Sequence, residues 1–317
     1  MVEDITPMTD FCIICGNPFD DKTVPSKEHI IPEALGNEKL VTYCVCEKCN
    51  NELGSNVDSY LTDYILVKML RKEKLEKDKD LQIFDSDLTD DKGNKYRIRD
   101  DGPEIFPKID VDKQNGHIHM EVASVEEGIK EARRILKKRF KLDNVQIDEI
   151  INDPERFIRG ETQYTKAGVF KQDATMDQAR FRLAVIKIAY EYAVERLGVG
   201  YASDPDAAVL RAYLKAGRDG KKNFSENDYK DISERCHPTD GFTEVIRTAF
   251  NYIPDKLVSY TVLLVKDKGN QLVCGIRILN SDFLTFSVFL SKNAENYMKK
   301  RKSIVTVITG DGQLIEA

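Results

Sequence analysis

Five of the chain's seven cysteines fall within residues 12–49, and four of them form two Cys-x2-Cys pairs, Cys12/Cys15 and Cys46/Cys49. Each pair is a metal half-site, and 30 residues separate Cys15 from Cys46. Four thiolates at such spacing close a tetrahedral zinc site, which can replace a hydrophobic core in a small module. Cys44-x-Cys46 is also close enough to chelate; the x2 spacing and the adjoining Asn50 favour Cys46 with Cys49. Between the pairs stands Glu28-His29, a carboxylate beside an imidazole, and Asn50 directly follows the second pair. Histidine titrates near neutrality and suits proton transfer. Carboxylate and amide oxygens suit a hard cation such as Mg2+, which keeps several waters and needs few protein ligands.

Local signals place these residues on short elements. Ser26–Pro32 reads as a strand carrying Glu28 and His29 and ended by Pro32, and Lys39–Tyr43 as a second strand. From Cys49 to about Lys77 the pattern is helical, with Leu61, Ile65, Leu66, Met69 and Leu70 at helix spacing and a break expected near Gly54. Its end, Lys68 to Lys79, is strongly basic and reads as a solvated face rather than a nucleic-acid contact.

The run Glu28-His29-Ile-Ile-Pro32-Glu33-Ala-Leu-Gly36, framed by the two cysteine pairs and closed by Cys49-Asn50, resembles the zinc-supported HNH endonucleases of ββα-metal fold. The resemblance covers about residues 10–60. It implies a structural zinc on Cys12, Cys15, Cys46 and Cys49. It implies His29 as general base and Glu28 and Asn50 as ligands of a catalytic Mg2+ or Mn2+. The substrate is then a DNA phosphodiester, cut to 5′-phosphate and 3′-hydroxyl ends. The family's middle Asn or His has no obvious counterpart; Asn37 is the one amide between His29 and the second pair, with Asn51, Asn56 and Asp58 in reserve for the metal or its waters. A zinc-ribbon binding module without catalysis and an RNA-directed nuclease are the alternatives.

The rest of the chain sets the scale. At 317 residues with 32% charged side chains, it is too long for one zinc module. The fold class expected is α+β. A nuclease module over 1–61 is followed by a connecting helix and small antiparallel sheet over 62–124 and a mixed domain over 125–317. Seven cysteines grouped in this way point to a reducing cytoplasm. Neither a signal peptide nor a membrane helix is expected. The net charge is −6, and residues 1–61 carry four basic against eleven acidic side chains. Phosphate grip must then come from elsewhere. The best block is Arg133, Arg134, Lys137 and Lys138, on a helix capped by Ser124. His117 and His119 share a strand face without a third ligand, and Cys236-His237 stands alone. Asp173–Gly198 reads as a core helix, 204–218 as another, and 257–309 as four strands. A homodimer, an activating partner or ligand at the C-terminal domain, and a role in restriction or anti-phage defence complete the expectation.

Overall fold

The computed structural model describes residues 7–78, 81, 88–90, 93–99, 102–112, 114, 117–158, 160, 176–220, 224–239, 258–299, 301–310 and 312–316. Strand β1 (Pro25–His29) pairs antiparallel with β2 (Val41–Cys46). Glu28 lies opposite Thr42 and His29 opposite Val41, and one extra residue bulges from β2 between there and Ser26. Helix α1 (Glu47–Leu53) begins at Cys46 and runs on through a π-helical turn, Gly54–Asp58, into α2 (Ser59–Thr62). The break expected at Gly54 is a widened turn instead, and the chain bends at Asp63–Tyr64 before α3 (Ile65–Lys74).

A solvated basic face on α3 was expected, but Lys68 and Arg71 are buried. Arg71 donates to Asp78 at 2.8 Å and to the Thr62 carbonyl at 3.1 Å. A helix end rich in cations is used here to close the chain back on itself.

Residues 81–174 form one compact unit, and 1–80 with 175–317 form the other. The first contains β3 (Leu88–Thr89), β4 (Lys95–Arg99) and β5 (Gly102–Ile105) in one antiparallel sheet, and the ribbon β6 (Lys108–Asp112) with β7 (His117–Glu121). It also holds α4 (Val125–Arg139) and α5 (Asn144–Asn152), packed through Leu136, Ile147 and Ile151. Ser124 caps α4 by accepting from the Glu127 amide at 3.1 Å. The strand expected at residues 81–84 and the loop or strand expected at 159–171 fall almost wholly outside the described residues.

The larger unit is organised on α6 (Gln178–Leu197), whose Asp177 cap accepts from the Arg180 amide at 3.1 Å. Short α7 (Val199–Ala202), α8 (Pro205–Arg218) and α9 (Glu226–Arg235) follow. Then come β8 (Cys236–Pro238), β9 (Val258–Lys266), β10 (Leu272–Ile278), β11 (Thr285–Ser291), β12 (Ser303–Thr309) and β13 (Leu314–Glu316). These six make one antiparallel sheet in the order β13-β12-β9-β10-β11-β8. A helix that is buried all round needs cover on every side. On one side the Tyr190 hydroxyl donates to the Ile13 carbonyl at 2.9 Å; on another Tyr192 bonds Thr306 of β12 at 2.8 Å. The cysteine module and the C-terminal sheet therefore share one core, containing Cys12, Ile30, Leu53, Ala189, Val262 and Val288. The partition expected from the sequence, with breaks after 61 and 124, differs for this reason: the two ends of the chain are needed to cover α6.

Candidate functional site

Cys12 and Cys15 sit on a turn that Gly16 closes at φ +79°, a left-handed conformation that suits glycine. Cys46 ends β2, and Cys49 lies in the first turn of α1. The four Sγ atoms all lie within 4.8 Å of one another. A tetrahedral zinc with Zn–S bonds of about 2.3 Å needs sulfurs about 3.8 Å apart, so the donor set fits that ion. Cys44 is fully buried in the core and stands outside the cluster. The remaining sulfur bonding is built in: the Cys46 amide donates to Cys12 Sγ at 3.3 Å, and Arg218 Nη1 donates to Cys49 Sγ at 3.0 Å. Arg218 comes from the end of α8, far along the chain, and is itself held by Glu52 and Asp219. Close approach of α8 is possible because residue 217 is glycine; a Cβ there would collide with Leu183 and press on Val57.

Glu28 and His29 are consecutive on β1 and occupy different surroundings. The His29 side chain keeps 19% of its surface exposed, with Nδ1 3.8 Å from a Glu33 carboxylate oxygen. Partial burial pulls its pKa below the usual histidine value; Glu33 opposes this, and Lys27 and Lys187 add to it. A neutral imidazole at neutral pH can take a proton from water.

Asn50 projects back from α1 onto β1. Its Nδ2 donates to the Lys27 carbonyl at 2.9 Å and to Ser26 Oγ at 3.2 Å. The amide nitrogen is thus committed to the strand.

Glu28 is only 3% exposed. Its Oε1 lies 2.5 Å from Lys187 Nζ, while Oε2 is buried with no hydrogen-bond partner. Lys187, on α6, also reaches Asp58 Oδ2 at 2.8 Å, Glu191 at 3.8 Å and the His29 carbonyl at 3.3 Å. Burial opposes the Lys187 ammonium, but Asp58, Glu191 and Glu28 together raise its pKa well above the ordinary value. Burial pushes the Glu28 and Asp58 carboxyls up, against Lys187, and drives Glu191 well above the carboxylate range.

Sequence reading did not find Lys187 and Glu191. Their signal was present as a Lys and a Glu four residues apart within the otherwise apolar run Ala184–Val194.

The loop from Ile30 to Leu40 is pinned by Asn37, which is fully buried. Its Nδ2 donates to the carbonyls of Ile31 and Leu40 at 2.8 and 2.9 Å, and its Oδ1 accepts from the amides of Leu40 and Lys39 at 2.9 and 3.2 Å. These four bonds tie the two ends of the loop together through one side chain. Gly36 turns the same loop at φ +94°, with Leu75 and the Tyr260 hydroxyl where a Cβ would press.

A cleft of about 460 Å³ opens beside the cysteine cluster, bordered by Lys22, Lys48, Lys215 and Arg218 as well as Glu47 and Asn51. Lys22 and Lys215 have no ion-pair partner among the described residues. The expected phosphate-binding block lies on α4, in the other compact unit. There Arg133 pairs with Asp148 at 2.6 Å and Arg134 with Glu131 at 2.7 Å, while Lys137 and Lys138 are exposed. His117 and His119 are exposed on β7, and His237 on the edge strand β8. Among the described residues no helix is long and apolar enough to cross a membrane.

No curated protein and no solved structure matches the chain. Residues 12–66 match the family model described as HNH endonuclease, and this segment holds the four cysteines, Glu28, His29, Asn37 and Asn50.

Proposed function

We propose that the protein is a metal-dependent endonuclease that hydrolyses DNA phosphodiester bonds. The observation that carries this is the arrangement on β1. His29 is half-buried, neutral and accessible, and Asn50 is tied to the same strand through its nitrogen, within a segment that matches a nuclease family. His29 accepts the proton of the attacking water. Glu28 Oε2 and Asn50 Oδ1 are the oxygens that would hold Mg2+ or Mn2+, and the fit is supported by Glu28 Oε2 having no other partner. When bound, such an ion supplies Lewis-acid stabilisation of charge on the phosphate and on the leaving 3′ oxygen. The four cysteines hold zinc as a structural ion. Lys22, Lys48 and Lys215, and the α4 block Arg133, Arg134, Lys137 and Lys138, supply phosphate contacts by charge. On this reading the protein acts in the cytoplasm as an effector in restriction or anti-phage defence, as a homodimer where both strands are cut.

The test is a nicking assay on supercoiled plasmid with Mg2+ or Mn2+, run beside single-stranded RNA of matched length and repeated with EDTA. Metal-dependent nicking of the plasmid supports the reading. Cleavage confined to RNA moves the substrate class. Absence of cleavage of either, with and without cell extract, favours a zinc-supported binding module.

A further inference from the structure

Lys187 is completely buried and touches two consecutive residues of β1: the Glu28 carboxylate at 2.5 Å and the His29 main-chain carbonyl at 3.3 Å. Its third contact, Asp58 at 2.8 Å, lies on the π-helical turn that follows α1. Among the described residues only the four cysteines bring three or more ligand atoms to metal-binding distance. The Lys187 ammonium is the cation that the Glu28 and Asp58 carboxylates share.

Such a cluster is a costly way to fill a core. Well-packed apolar side chains of similar volume often serve stability as well or better. The helix carrying it is otherwise Ala, Val, Ile and Tyr over Ala184–Val194. Stability alone does not call for a lysine at this position, and geometry gives another reason. By occupying Glu28 Oε1, Lys187 fixes the carboxylate so that Oε2 is the oxygen left without a partner. By accepting its hydrogen bond, the His29 carbonyl is fixed at the end of β1, immediately before the loop that Asn37 pins. α6 is itself tied on both sides, through Tyr190 and Tyr192.

We propose that Lys187 is a positioning residue of the nuclease centre, holding the Glu28 carboxylate and the His29 backbone in register from behind β1. This deepens the proposed function and rests on it. Lys187 is fully buried and acts through its two neighbours on β1. Misplacement of a reacting group by about 1 Å can cost about 100-fold in rate.

The experiment compares wild type, K187M, E191Q and H29A for zinc content, thermal midpoint, KM and kcat in plasmid nicking with Mg2+. K187M is expected to bind zinc and to lose about 100-fold in kcat per folded molecule with KM unchanged. E191Q perturbs the same cluster but leaves both β1 contacts, and is expected to keep its kcat. A purely structural role would lower the midpoint in K187M and leave kcat per folded molecule intact, and that result overturns the proposal. Should K187M fail to fold, D58N/K187M removes both members of one ion pair and carries the same two outcomes. Cleavage retained by H29A would overturn the site reading beneath; an inactive H29A beside a fully active K187M overturns the role of Lys187 alone.

Discussion

At the residue scale the account rests on three side chains of unlike legibility. His29 was singled out because it stands beside a carboxylate in the run Glu28-His29-Ile-Ile-Pro32 between two Cys-x2-Cys pairs, and its side chain is partly exposed. Its pKa lies below the usual histidine value, mainly through burial. The active form is the neutral one, so kcat/KM should rise with pH through a midpoint below about 6.5. A pH–rate profile checks this, and an acidic limb centred above neutrality would contradict it. Asn37 was legible as a residue and not in its bonding, because four hydrogen bonds from one buried amide depend on a loop path that spacing does not encode. Asn37→Ala strands buried backbone groups, each worth about 1–3 kcal/mol. Denaturant unfolding should show a loss of at least that size, and an unchanged midpoint would remove Asn37 from its role. Glu28 was read as an ion ligand from its carboxylate chemistry and the resemblance; its burial against Lys187 depends on a partner about 160 positions away, which no local pattern reports.

At the scale of elements, β1, β2 and α1 followed from local signals: Pro32 after a short strand, cysteines at a strand end and a helix start. The π-helical turn at Gly54–Asp58 did not, since glycine suggests a break and the widened turn is stabilised by packing on α6 and α8. α6 was legible as a helix from its apolar run. Its charged pair was not, because helix periodicity predicts a stripe while this helix is covered all round. The α8–α6 crossing depends on Gly217. Gly217→Ala forces a Cβ against Leu183 and Val57, and overpacking of this kind costs about 1–3 kcal/mol. Chemical denaturation should show that loss together with weakened zinc retention, since Arg218 follows directly and bonds Cys49. Stability equal to wild type would mean that the helices separate without cost.

At the scale of the molecule, composition and charge were legible and the partition was not. Breaks after 61 and 124 follow from changes of pattern along the chain, whereas the compact unit joins residues 1–80 to 175–317. The cause is burial: Cys12, Ile13, Ile14 and Ile30 share a core with α6 and the C-terminal sheet. Zinc removal should therefore loosen more than the cysteine turns. Chelation is expected to raise hydrogen exchange in α6 as well as in residues 12–62, and exchange confined to residues 12–62 would contradict the shared core. The central claim is that His29 and Asn50 act on a phosphodiester in a fold that the four cysteines hold. Its most direct measurement is Mg2+-dependent plasmid nicking by wild type, His29→Ala and Asn50→Ala, with zinc content determined on all three. The account predicts equal zinc in each, cleavage by wild type, and a loss of about 100-fold or more in His29→Ala. Cleavage by His29→Ala at the wild-type rate would contradict it.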